Sequence, residues 1–293
     1  MPGELAALVS LLDDDSPTVL AAVTQRLREL ADEAAPALRD LAEQGSPKVR
    51  GRAREVLANL ERREGFSRLA RLAETPGPDL EEGAMLLASI HDPAVDPFAL
   101  RLKLDRLAEG AARTIGDAPQ GRPRIERFLK SLHQQEGFQG DEEAFYAFQN
   151  NFLDSVLERR RGIPITLILV YMLVGRRIGV DICAVGTPYR ALAVYRDASF
   201  RSYVDAFAGG RLMSYHECSE MLQQSGFRGT TWQDFLRPVS DRQILERMVR
   251  NLVNFCASQG RDLDGRDFTR IAMALAAHRH LDLDGHDRKL EAN

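Results

Sequence analysis

The chain has 293 residues, with 39 Lys and Arg against 43 Asp and Glu, a formal net charge of −4 and a hydrophobic content of 44%. This is the composition of a globular protein long enough for about two buried cores. The near balance of charge carries no footprint for nucleic acid or an anionic membrane, and the longest apolar stretch, Ile165 to Val174, falls well short of the ~20 residues of a membrane span.

The N-terminus, "MPGELAALVSLLDDD", turns acidic early and lacks the basic-then-apolar order of a signal peptide. Three scattered cysteines, Cys183, Cys218 and Cys256, form no Cys-x-x-Cys pair and no disulfide framework. A reducing, cytoplasmic location is expected.

The first 60 positions contain a repeat. Ser16-Pro17 recurs as Ser46-Pro47, and at the same offset Leu8, Leu11, Val19, Leu27 and Leu30 recur as Leu38, Leu41, Val49, Leu57 and Leu60. Each unit reads as a helix, a turn closed by Ser-Pro, and a second helix, the pattern of a HEAT-like solenoid over residues 1–75. "ETPGPDL" marks the boundary after it.

Two amphipathic helices interrupted at "HDPAVDP" come next, then a third over about Arg124 to Gln135. An aromatic segment holding Phe145, Tyr146 and Phe148 is expected to pack into the core ahead of a helix with Phe152, Leu153, Val156 and Leu157. Pro164 to Ile178 is apolar all round and therefore a buried helix. Gly162 is expected to end the helix before it, with Pro164 opening the next.

Strands follow at about Val180–Val185, Ala191–Tyr195, Ser202–Asp205 and Arg211–Met213. From Ser240 the chain is helical again, as a hairpin over 240–293 with a frayed polar end. The fold class is thus α+β and mostly helical: HEAT-like helices, a core over 76–239 with a buried helix on a small antiparallel sheet, and a C-terminal helical hairpin.

No phosphate-binding loop, dinucleotide fingerprint or Gly-x-Ser-x-Gly elbow is present. The six histidines show no metal spacing: His278 and His280 should diverge, and His216-Glu217-Cys218 reads as a solvated helix face with one inward cysteine. No metal or cofactor is implied.

The runs "NNFLDSVLERRRGIPITLILVYMLVGRRIGV", "VGTPYRALAVY" and "YVDAFAGGR" resemble the core of the SirB-type family of bacterial transglutaminase-like proteins. "LERRRGIPITL" is the most specific element, and the likeness runs over roughly Leu80 to Phe255, with "DRQILERMVRNLVNF" similar to the start of tetratricopeptide-like helices. The resemblance implies a papain/transglutaminase-like fold in which a cysteine opens the buried helix, a histidine lies on the sheet and an Asp or Asn on the next strand. The helix dipole would lower the thiol pKa, the imidazole would take its proton and the carboxylate would fix the tautomer.

Set against Gly179, the glycine that closes this helix, the cysteine's place falls on Pro164. Where the family reads Gly-x-Pro-Gly-His-Phe, this chain has "GTPYRA", which puts Arg190 at the histidine. A guanidinium with a pKa of about 12 or above is no general base near neutrality. Asp205 in "VDAFAGGR" matches the family's acidic position, with Ala206 where the family has proline.

Two of the three chemical roles are missing, and the substitutes are poor. Thr166 should turn to the backbone, and Cys183 should be buried with a protonated thiol. Pro164, Thr166, Arg190 and Asp205 therefore outline a remnant cleft, with Arg190 and Asp205 expected as an ion pair. Tyr189, Arg190, Asp205, Arg211 and the basic cluster Arg159, Arg160 and Arg161 are the binding candidates. The cluster also reads structurally, as a helix C-terminal group complementing the dipole.

The expected function is a catalytically inactive transglutaminase-like protein that binds another protein or peptide. The alternative is a hydrolase or acyltransferase with a non-standard nucleophile. Nucleic acid and membrane are disfavoured as partners, and the oligomeric state is open.

Overall fold

The computed structural model describes residues 2–188, 190–225 and 232–282. The expected frayed C-terminal end lies outside them. Internal packing divides the chain into Met1–Ser67 with Ser89–Ala94, and Arg68–Ala88 with Val95–Asn293.

The first unit holds helices α1 (Pro2–Ser10), α2 (Pro17–Glu29) and α3 (Ala31–Gln44) and most of α4 (Pro47–Glu74). The Ser-Pro pairs work as the repeat predicts. Ser16 Oγ accepts from Val19 N–H and Ser46 Oγ from Val49 N–H, both at 3.4 Å, and each proline takes the first helical position, where its missing N–H costs nothing. Val23, Leu27, Leu38, Ala53 and Val56 are buried together as this unit's core. Arg52 closes the acidic turn by donating to Leu12 O at 2.8 Å and Asp14 O at 2.6 Å.

The second unit is built on a buried helix. After α5 (Leu80–His91), α6 (Pro97–Ile115), α7 (Arg122–Lys130) and a π-helical turn at Ser131–Gln135, the chain forms β1 (Gln139–Gly140), then α8 (Leu153–Arg159), β2 (Arg161–Gly162) and α9 (Pro164–Ile178). Pro164 starts α9, Gly179 ends it in the left-handed conformation, and every residue from Pro164 to Gly175 is buried, as an all-apolar helix requires.

Strands β3 (Ile182–Val185), β4 (Leu192–Arg196), β5 (Arg201–Asp205) and β6 (Arg211–Met213) form an antiparallel meander in the order β3-β4-β5-β6. Cys183 pairs with Val194, Tyr195 with Ser202 and Val204 with Leu212. Helix α9 packs on β3 and β4. Leu192, Val194 and Tyr203 join Cys218 and Leu222 of α10 (Tyr215–Gln224) in a separate cluster. The first four residues of β4 are consequently buried without alternation. Helices α11 (Asp241–Ser258) and α12 (Asp262–Ala277) form the expected hairpin.

Gly162 does not end α8. Arg160 takes the left-handed cap position, at φ 58°, while Gly162 pairs with Gly140 in the parallel β1–β2 ladder. A Cβ at Gly162 would lie 2.8 Å from Thr166 Oγ1 and 3.1 Å from Val156 Cγ2. The glycine is needed for close approach to the start of α9 rather than for a turn.

Among the described residues no helix is long and apolar enough to cross a membrane.

Candidate functional site

Thr166 stands two residues into α9. It is 1% exposed, and its Oγ1 has Asn150 O at 2.8 Å and Ile163 O at 3.1 Å as acceptors. The hydroxyl pins the segment ahead of α8 to the start of α9. Asn150, itself buried, gives its amide to Ala144 O at 2.7 Å and takes a hydrogen bond from Arg159 Nη2 through Oδ1.

The basic cluster divides three ways. Arg159 turns to Asn150 and to Asp141, 3.6 Å away. Arg160 caps Leu157 O at 2.5 Å, pairs with Glu136 at 3.2 Å and lies over the Phe138 ring. Arg161 is exposed in β2. Arg159 in the last turn of α8 and Arg160 at its C-cap, covering a last-turn carbonyl, fit the helix-end reading, whereas Arg161 lies beyond it in β2.

Arg190 and Asp205 do form an ion pair, with Nη2 to Oδ2 at 3.0 Å and Nε to Oδ1 at 3.2 Å. Asp205 also organises its own turn, Oδ1 accepting from the N–H groups of Phe207 and Ala208 at 3.1 Å each. The Arg190 guanidinium sits over the Phe207 ring, 5.2 Å from its centre. Tyr189 lies outside the described residues. Arg211 is opposite Asp205 in the ladder, but its guanidinium goes to Glu217 at 2.6 Å. That carboxyl is held down at about 2 by the Ser214 N–H and hydroxyl together with Arg211.

A groove of about 470 Å³ opens at the start of α9. Ile163, Pro164, Ile165 and Ala191 line it, with Phe145 and Tyr146 from the segment before α8 and Arg247, Asn251, Asn254 and Phe255 from α11. Pro164 therefore faces the cleft, whereas Thr166, Arg190 and Asp205 are not among its lining residues. The aromatic segment departs from the expected core packing: Tyr146 is 86% exposed, and Phe145 is exposed beside it. Phe145 packs edge-on against Phe207, 5.6 Å centre to centre, and so borders the Arg190–Asp205 turn. Phe148 is half-buried, stacked on Phe255 at 4.6 Å.

The residues missed from sequence are those of α11. Arg247, Asn251 and Asn254 follow i, i+4, i+7 spacing on one helix face, which reads as an ordinary solvated stripe until Pro164 is seen beside it. Arg247 Nη1 donates to Thr187 O at 2.6 Å, and burial lowers its pKa.

A family model for the transglutaminase-like superfamily matches residues 99–250. The chain belongs to the transglutaminase-like superfamily. It is 30% identical over 193 residues to a UPF0162 protein of Pseudomonas aeruginosa, covering 66% of this chain and 70% of that one. A UPF0162 protein of Vibrio cholerae is 30% identical over 145 residues, 49% of this chain and 53% of that one. Human F-box only protein 21 is 28% identical over 139 residues, 45% of this chain and 21% of its own length. No solved structure matches.

All three cysteines, of which Cys183 and Cys218 fall in the matched region, lie on elements other than α9. Cys218 and Cys256 are buried on other helices. Cys183 is only half-buried, less than expected, but burial and Asp181 push its thiol up to about 12. His216 is exposed. The His278 and His280 rings do not diverge: they stack at 6.3 Å, because α12 ends at Ala277 before them. Among the described residues no three metal-ligating side chains gather.

One histidine packs against α9 and the turn after β5. His133 Nδ1–H donates to Phe138 O, and Nε2 accepts from the Tyr171 hydroxyl of α9. A Cβ on Gly210 would meet its ring at 2.6 Å. Burial lowers its pKa below the ordinary value of 6.5. The unfolded chain then binds the proton more readily, so stability falls as pH drops through about 6.5 and is retained above it. His133→Gln should flatten the dependence of Tm on pH between about 7 and 5. An unchanged slope in thermal melts at several pH values would show that the titrating group lies elsewhere.

Proposed function

We propose that this protein is a non-catalytic member of the transglutaminase-like superfamily that acts by binding another protein or peptide. The observation carrying this reading is Pro164 at the first position of α9, facing the groove where the superfamily fold places its thiol. Proline has neither a nucleophile nor an N–H to offer a developing oxyanion. Arg190, at the base position, has its guanidinium on Asp205.

In this reading the first 75 residues are a HEAT-like interaction module, 76–239 the transglutaminase-like core of SirB type and 240–293 tetratricopeptide-like helices. Three free cysteines suit the cytoplasm. A net charge of −4 supports a protein or peptide partner over nucleic acid or membrane. Thr166 gives a non-standard nucleophile no support, since it is turned onto backbone carbonyls.

The test is turnover. Incubated with a glutamine-containing peptide and a primary amine, and separately with a peptidase substrate pool, the protein should release neither ammonia nor fragments above the blank. It should also react with iodoacetamide far more slowly than free cysteine, given the raised thiol pKa of Cys183. Turnover abolished by Thr166→Val or by alkylation of Cys183 would overturn the reading.

A further inference from the structure

We infer that the groove beside Pro164 takes an extended peptide that carries a carboxylate, held along its backbone by the amide face of α11 with its charge at Arg247. This rests on the binding reading above and names the class of partner.

Three observations carry it. The first is the pair Asn251 and Asn254, which line the groove and whose side-chain amides make no hydrogen bond to the described residues. Asn251 is half-buried. A carboxamide offers a donor and an acceptor together, matching the N–H and C=O of an extended chain. From Arg247 to Asn254 the helix rises about 10 Å at ~1.5 Å per residue. That is the length of about three residues of extended peptide.

The second observation is charge. Among the described lining residues Arg247 is the one cation and none is a carboxylate. Its Nη1 is fixed on Thr187 O at 2.6 Å, so the guanidinium is already oriented. An anion brought here meets a pre-ordered, partly desolvated positive group, the setting in which a charge-assisted hydrogen bond is strongest. A single arginine is too little for a phosphate backbone, which needs several cations in line.

The third is the aromatic shelf. Phe145 and Tyr146 lie exposed at the groove, with Phe145 braced on Phe207. Exposed rings next to unpaired amides provide apolar area for a side chain while the amides hold the backbone.

The probes are fluorescein-labelled hexapeptide pools, C-terminally amidated, with either Asp/Glu or Asn/Gln at each internal position in turn. A third pool has Asn/Gln inside and a free C-terminal carboxylate. In fluorescence anisotropy, at least one carboxylate-bearing pool should bind about tenfold or more tightly than the amidated Asn/Gln pools. Arg247→Met should erase that preference and Arg247→Lys keep part of it. Asn254→Ala, at an exposed position that does not threaten folding, should weaken all pools. The pool that wins tells an internal acidic side chain from a chain terminus.

Equal binding of acidic and neutral pools, no binding by any pool, or binding indifferent to both Arg247→Met and Asn254→Ala would overturn the inference. Ammonia release is followed in the same samples. Turnover sinks the non-catalytic reading, whereas absent binding without turnover sinks only the peptide assignment.

Discussion

Replacing Arg242 with methionine should lower stability by about 3–5 kcal/mol, a fall in Tm on the order of 10 °C. The side chain is 0% exposed, and each end of its guanidinium is used. Nη1 donates to Ala73 O and Nη2 to Thr75 O, both at 2.5 Å, while Nε meets Asp282 Oδ2 at 3.0 Å. Asp282 in turn accepts from Ser240 Oγ at 3.0 Å and from Gly77 N–H at 3.2 Å. One arginine thus joins the end of α4, the start of α11 and the turn after α12.

Methionine fills much of the same volume, so cavity formation is a minor part of the cost. What remains is two inward carbonyls and a carboxylate without their donor, and breaking one side of a buried pair is the expensive case. Lysine keeps the charge but has a single point of donation, so Arg242→Lys should fall between methionine and the wild type. Chemical denaturation followed by far-UV circular dichroism measures all three. A methionine variant within about 1 kcal/mol of wild type would mean that the three segments hold together without the guanidinium.

How much of this was legible beforehand follows from range. The Ser-Pro caps, the buried helix from Pro164, the closing Gly179 and the strand positions rest on local rules, and each is found where the sequence puts it. The Arg190–Asp205 pair, which the family likeness leads one to expect, is present. The errors come from packing that no local pattern marks. Phe145 and Tyr146 look like core because aromatics usually are, yet here they border a groove formed with α11, about a hundred residues further along the chain. Asn251 and Asn254 carry no local mark of function, since polar residues on one helix face satisfy the amphipathic pattern without any ligand. Gly162 reads as a turn until the contacts with Thr166 and Val156 are visible.

The second large effect is expected at Asp205, and it separates two roles that one carboxylate now combines. At 4% exposed it accepts from two backbone N–H groups of the following turn and from Arg190. Asp205→Ala removes every acceptor at once, leaving the Phe207 and Ala208 N–H groups and a guanidinium unmatched, for a loss of about 3 kcal/mol. Asp205→Asn keeps Oδ1 for the two N–H groups and loses the charge, so it should cost only about 1 kcal/mol. Arg190→Met should also cost about 1 kcal/mol, since its side chain is more than a third exposed and solvent screens the pair. Asp205 builds the turn through Gly209 and Gly210, its own carbonyl accepting from Gly210 N–H at 3.0 Å, and Arg190 is held on its carboxylate. If Asp205→Asn proved as damaging as Asp205→Ala in denaturant melts, the carboxylate's charge on Arg190, rather than its hydrogen bonds to the turn, would be what stabilises this region.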